Sequence, residues 1–351
     1  MKTMKTIHTA LILMVLAFLS ACSTDSADSI LGGSGGDNQG DKVTVHMTLS
    51  TASSSGTRAT LWNEGVDAEN MKSWVVAFVK DNKVVSYAEN TNVSADKRIQ
   101  DDVIIKNLVK GETYQVYSFA NLTATELGIS KDAAVSFDSK NWKMNGNGFD
   151  VTTGIPMSNK QEITIDATGN PTQKDLWVVR MLAKVTLKFK NPSKTDLVIN
   201  DITISDITKN SNKNGDKENI KLLPNHTDAD KDQVECSPNL VGQAATESYT
   251  YKLPSPKTIK AGVTDYKSEN EVSFYVNESA AGNTSKYFII NLNTSAGVKR
   301  YALFKDWTTI ARNDHHILQI KLDDYKLKFD VQSFSAIGLY PSIRDNGTTL
   351  S

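Results

Sequence analysis

Two cysteines in 351 residues leave this chain without a disulfide framework, so its stability has to come from core packing. Charge of one sign is also missing. With 39 basic and 40 acidic residues the net charge is −1, and no basic field exists to attract nucleic acid or anionic lipid. Long apolar runs are absent: the longest, Leu11–Leu19, falls well short of the ~20 residues that span a bilayer. Helical periodicity is scarce, with a turn or two expected at Glu64–Lys72 and Asp132–Trp142. No fixed-period repeat of the solenoid kind is found.

Chemistry-bearing motifs are equally sparse. The chain has no C-x-x-C and no H-E-x-x-H. His315-His316 is the only adjacent histidine pair, and neighbours on a strand point to opposite faces, which does not suit a shared metal. Gly32-Gly33-Ser34-Gly35-Gly36 formally matches G-x-S-x-G, but it lies in a low-complexity stretch with neither a strand before it nor a helix after it. Ser94-Ala95-Asp96-Lys97 matches S-x-x-K without the motifs that accompany it in hydrolases. Asp228, Asp230 and Asp232 open like a calcium loop, yet Gln233 stands where glycine is required and Asn239 where the bidentate glutamate belongs. Five Trp and eleven Tyr would permit a carbohydrate surface, but Trp74, Trp177, Tyr114 and Tyr117 fall in strand-like runs, where packing is the default. No catalytic residue, metal or cofactor is expected, and the chain does not read as an enzyme.

What is present begins with a targeting signal. Lys2 and Lys5 precede the short apolar run, which ends in Leu19-Ser20-Ala21-Cys22 and resembles a bacterial lipobox. Signals of that kind imply cleavage before the cysteine, so residues 1–21 are the signal peptide and Cys22 is the lipidated residue. The Ser/Gly/Asp-rich segment that follows reads as a flexible spacer. Cys236 is expected to be an ordinary buried residue.

Beyond the spacer come strands. In KVTVHMTLS, Val43, Val45, Met47 and Leu49 alternate with polar residues, the period-two pattern of a half-buried strand. A Ser-rich tether carrying Arg58 joins it to the rest. WVVAFVKDNKVVSYA reads as a hairpin turning at Lys80–Lys83. Val103–Leu108 and Thr113–Leu122 are two further strands around Lys110-Gly111. DLWVVRMLAKVTLKFKNP ends in an alternating strand that Asn191-Pro192 stops. The second half repeats the style, and short strands at this spacing argue an all-β sandwich architecture.

These features together resemble the fimbrillins, the subunits of the type V pili of Bacteroidia. The similar motifs are WVVAFVKDNKVVSYAEN, YQVYSFANL, IPMSNKQEITI, VVRMLAKVTLKFKN, FYVNES and IARNDHHILQIKL, in this order and over most of residues 43–340. The resemblance implies two transthyretin-like β-sandwich domains in tandem, residues 59–180 and 181–351, behind a lipidated propeptide of residues 22–58. It implies an exported lipoprotein that reaches the outer membrane, where an arginine-specific protease cuts between Arg58 and Ala59. The removable strand, with Val43, Val45, Met47 and Leu49, leaves with the propeptide. A strand from another copy or another fimbrial subunit takes its place, and the candidate donor is the C-terminal run with Leu327, Phe329, Val331, Phe334, Ile337 and Leu339. The expected function is a shaft subunit of a surface fimbrium. A tip or anchor subunit, or a glycan- or host-binding lipoprotein that never polymerises, are the alternatives.

Overall fold

Short apolar runs punctuated by Gly, Asn, Asp and Lys turns fold as strands throughout the computed structural model. It describes residues 41–51, 67–94, 98–142, 153–209, 219–226, 236–242, 244–282, 287–295, 297–302, 307–321 and 329–331.

The first half contains β1 (Lys42–Ser50), β2 (Trp74–Lys80), β3 (Lys83–Asn90), β4 (Ile99–Val109), β5 (Thr113–Ala120), β6 (Asn141–Trp142), β7 (Met157–Thr164), β8 (Asp175–Trp177) and β9 (Val179–Arg180). β2 and β3 form the expected hairpin, turning on Asp81 and Asn82 with both φ values positive, at 49° and 59°. They belong to a five-stranded sheet ordered β3-β2-β5-β7-β9. Facing it is a three-stranded sheet ordered β4-β1-β8. Val45, Met47, Leu49, Val103, Ile105 and Leu176 from the smaller sheet meet Trp74, Val76, Phe78, Tyr114, Val116 and Ile163 from the larger in one apolar core.

The unbroken apolar run of β2 is explained by its other face. Val75, Ala77 and Val79 pack with Phe119, Leu127, Phe137, Leu222 and Leu223, so this strand is covered on both sides and need not alternate. Leu127 ends a single helical turn, Ala124–Leu127, held by a reciprocal Thr123–Glu126 capping box and closed by Gly128 at φ 73°. The two segments expected to form a turn or two do so as 3-10 turns at Asp67–Glu69 and Phe137–Ser139.

The second half adds β10 (Leu182–Lys190), β11 (Leu197–Thr208), β12 (Ile220–Lys221), β13 (Asn225–His226), β14 (Cys236–Ser237), β15 (Thr246–Ile259), β16 (Glu271–Asn277), β17 (Ser279–Ala280), β18 (Ile289–Thr294), β19 (Gly297–Ala302), β20 (Thr309–Ile310), β21 (His315–Lys321) and β22 (Phe329–Val331). Two four-stranded sheets, β16-β10-β21-β22 and β15-β11-β18-β19, enclose a separate core of Val185, Leu187, Phe189, Ile202, Ile204, Phe274, Leu292 and Ile320. The stretch 175–190, continuous in the sequence, therefore serves three sheets in turn through β8, β9 and β10.

Buried polar groups join the halves. Glu69, 3% exposed, receives Lys184 Nζ at 2.7 Å and the Tyr275 hydroxyl on its carboxylate. Its carbonyl accepts from Arg180 Nε and Nη2 at 3.2 and 3.0 Å. Desolvation lowers the Arg180 guanidinium to about 10. Burial, reinforced by the Glu69 charge, pushes the Tyr275 phenol far above its ordinary value. Nearby, Arg312 pairs with Glu278 and donates to the carbonyls of Leu222 (3.1 Å) and Lys221 (2.8 Å). Those two residues follow Ile220, whose strand β12 pairs with β6 of the first half.

Candidate functional site

The strand expected from the sequence to be removable is β1, and its alternation is realised in space. Val45, Met47 and Leu49 are 3%, 1% and 0% exposed, and Val43 is half-buried, while Thr44 and His46 face solvent. Burying each such side chain is worth roughly 1.5–3 kcal/mol before ordering costs. Its lateral position matters more than its burial. β1 is the middle strand, antiparallel to β4 over Lys42↔Val109 to Ser50↔Ile99 and parallel to β8 over Thr48↔Asp175 to Ser50↔Trp177. Thr48 N donates to Lys174 O, and Val178 N to Ser50 O, both at 2.9 Å. Without β1, β4 and β8 would face each other as open edges about two strand spacings apart, roughly 10 Å.

Two bulges in β4 fix the register of that ladder. It slips between Val43 and Val45 and again between Met47 and Leu49, and the β4 residues there, Asn107 and Asp102, have φ of 62° and 65°. The slips keep Leu108, Ile105 and Val103 turned inward against the apolar residues of β1. Two polar contacts lie at the surface of the same ladder: His46 Nδ1 hydrogen-bonds the Asp102 carboxylate, and Lys110 Nζ pairs with Asp41 at 3.0 Å. Gly169, at φ 96°, presses on Val43: a Cβ built there would lie 3.0 Å from Val43 Cγ1.

The candidate donor run is placed only in part. Phe329 and Val331 lie in β22, the outer strand of its sheet, which pairs with β21 over only Leu318↔Val331 to Ile320↔Phe329. Leu327, Phe334, Ile337 and Leu339 lie outside the described residues, as do Cys22, Arg58, Ala59, the Gly32–Gly36 motif and the Asp228–Asp232 run. Trp74, Trp177, Tyr114 and Tyr117 are all core residues, and Cys236 is buried. His315 bonds Thr186 Oγ1 at 2.8 Å, while His316 turns to Asp314 and Trp307. Among the described residues no group of three or more His, Cys, Asp or Glu side chains could hold a metal ion.

Sequence reasoning missed three things at this site: β8 as the second flank of the slot, the two bulges, and the Glu69 cluster. A legible signal existed for the bulges, since Asp102 and Asn107 are residue types that tolerate positive φ. None existed for Glu69, whose partners lie 111 to 206 positions along the chain.

No family model and no curated relative matches this chain. Solved structures do. A candidate cell adhesion protein from Parabacteroides distasonis superposes with a TM-score of 0.53 at 12% identity, covering 84% of this chain and 91% of that one. The tip fimbrial protein Mfa3 from Porphyromonas gingivalis, with a C-terminal truncation, gives 0.53 at 13% identity, covering 84% of this chain and 100% of that one. This chain has the fold of the Bacteroidia fimbrial proteins. Within that fold, β1 is the sandwiched strand of its sheet and β22 an outer strand of another.

Proposed function

We propose that this chain is a structural subunit of a surface fimbrium, built by exchange of β1 for the C-terminal strand of another subunit. In this reading the precursor is exported, lipidated at Cys22 and carried to the outer membrane. An arginine-specific protease then cuts between Arg58 and Ala59. The two sandwiches behave as tandem transthyretin-like domains dividing near Arg180. The chain performs no catalysis.

The observation that carries the proposal is the position of β1 between β4 and β8, joined to the body only through the segment that contains Arg58. Removing an outer strand would narrow a sheet, whereas removing a central one opens a two-edged apolar slot that favours refilling by another strand. A donor from a neighbour makes a head-to-tail contact that does not close, so it propagates as a filament. The test is to treat purified precursor with an arginine-specific protease and follow the size of the product. Polymers of a chain beginning at Ala59 are expected. A product that keeps its first strand, or stays monomeric at high concentration, sinks the shaft reading.

The similarity in fold to a tip fimbrial protein favours one second reading, a tip subunit. A tip subunit accepts a strand but need not donate one. Deleting residues 322–351 separates the roles: a shaft subunit then stops elongation, and a tip subunit assembles unchanged.

A further inference from the structure

We propose that the cleft between β3 and β4, the outer strands of the two facing sheets of the first half, binds a six-membered sugar acid at the end of a glycan chain. The inference goes beyond the assembly reading and does not rest on it, because the cleft is already formed in the uncut molecule.

β3 is the outer strand of the five-stranded sheet, and β4 is an outer strand of the three-stranded sheet that faces it. A cleft of about 330 Å³ lies at this edge of the sandwich. Its walls are Val85 and Tyr87 of β3, Ile104 and Asn107 of β4, and Lys131 from the loop after the helical turn. Small-ligand sites run from roughly 300 to 1,000 Å³, so a cleft of this size suits one small residue.

Both strands leave regular pairing where they border the cleft. β3 pairs Val84 with Val79 but Ser86 with Phe78, which makes Val85 an extra residue. Val85 and Tyr87 therefore pack on different cores, Val85 on the one between the facing sheets and Tyr87 on the one behind the larger sheet. Each is half-buried, so packing holds it from behind while it lines the cleft. Across from them, the bulge in β4 sets Asn107 at φ 62°. Bulges at sheet edges re-aim side chains, and here two of them meet at one cleft. Ile104, 39% exposed, completes an apolar wall.

The polar lining selects the ligand. Lys106 and Lys131 line the cleft, and no carboxylate does. Elsewhere in the first half Lys72, Lys80, Lys110 and Lys160 pair with Asp67, Glu112, Asp41 and Asp138. Among the described residues nothing pairs with Lys106 or Lys131, and the side chains of Ser86, Tyr87 and Asn107 make no hydrogen bond. Two cations, two hydroxyls and an amide thus converge beside an apolar wall. A bare inorganic anion leaves the wall and the hydroxyls unused. A neutral sugar leaves both lysines without a counter-charge. A pyranose carrying a carboxylate uses all three: the acid for the lysines, ring hydroxyls for Ser86, Tyr87 and Asn107, and a C–H face for Val85 and Ile104. The cleft opens to solvent on its outer side, which leaves room for the rest of a glycan.

Titration of the nitrogen-15-labelled, uncut full chain tests the site. The probes are the methyl glycosides of glucuronic acid and N-acetylneuraminic acid, with methyl glucoside as the neutral match. Saturable amide shifts at residues 85–87, 104–107 and 131 are expected with at least one acid. The neutral glucoside should bind about ten-fold more weakly, having no partner for the lysines. Lys106→Gln and Lys131→Gln should each weaken the acid about three- to ten-fold. Both side chains are exposed, so the unfolding midpoint should not move. Ile104→Asp sets a negative charge in the wall and should abolish binding. Failure of both acids to saturate, shifts confined to other residues, or undiminished binding by the double lysine variant overturns the site. Inorganic phosphate binding as tightly as the acids overturns the sugar assignment, as does tighter binding of the acidic peptide acetyl-Asp-Asp-amide. Free acids that bind more tightly than their glycosides overturn the glycan end.

Discussion

Replacing Leu49 by Ala tests whether β1 belongs to the core of the uncut molecule and to nothing afterwards. Leu49 is fully buried, in a core shared with Met47, Val103 and Leu176. The substitution removes roughly three methylene equivalents at about 0.8 kcal/mol each, and the cavity left behind adds to that loss. A destabilisation of about 3–4 kcal/mol is expected for the uncut chain, read from the midpoint of denaturant unfolding at constant slope. Once the strand has been cut away and replaced, residue 49 is no longer in the molecule. Filaments grown from the variant should therefore resist denaturant as well as wild-type filaments. The variant should also release its strand sooner after cutting, because the same missing contacts held it. A loss below about 1 kcal/mol in the uncut chain would refute the packing. An equal loss in the filament would show that β1 stays in place.

Three further outcomes are expected. Glu69→Gln leaves Lys184 as a buried charge without its counter-ion and should cost about 3–5 kcal/mol in urea unfolding, most of it recovered by adding Lys184→Met; additive losses would argue against the pair. In alkali, the raised Tyr275 phenol contributes stability that is intact below pH ~10 and is lost as pH climbs through its folded value, and Tyr117 acts in the same direction. The lowered Arg180 works the other way, because between its folded value of about 10 and its higher ordinary value the unfolded chain holds the extra proton; Tyr275→Phe should flatten the fall of the unfolding midpoint between pH 9 and 12. Trp177, 6% exposed and paired through β8 with Ser50, should shift its fluorescence to the red when the cut strand leaves and return when the slot is refilled; an unchanged spectrum would mean that the slot never opened.

The sequence by itself determined the elements. Period-two alternation specified β1 and β10, the apolar runs around Asp81-Asn82 specified a hairpin, and the scarcity of helical spacing specified an all-β body. Those signals are local, which is why they could be read. The single helical turn at Ala124–Leu127 was missed although its T-x-x-E box is written in the sequence, because four residues are too few for a period to show. The pairing of strands is another matter. That β1 lies between β4 and β8, that one run after Asp175 divides among three sheets, and that Glu69 meets Lys184 and Tyr275 all depend on contacts distant along the chain. Alternation tells which side of a strand faces a core, but it carries no information about the neighbour on either edge. Only the tertiary structure decided that the strand ahead of Arg58 is a central one, and that lateral position makes its removal open a slot.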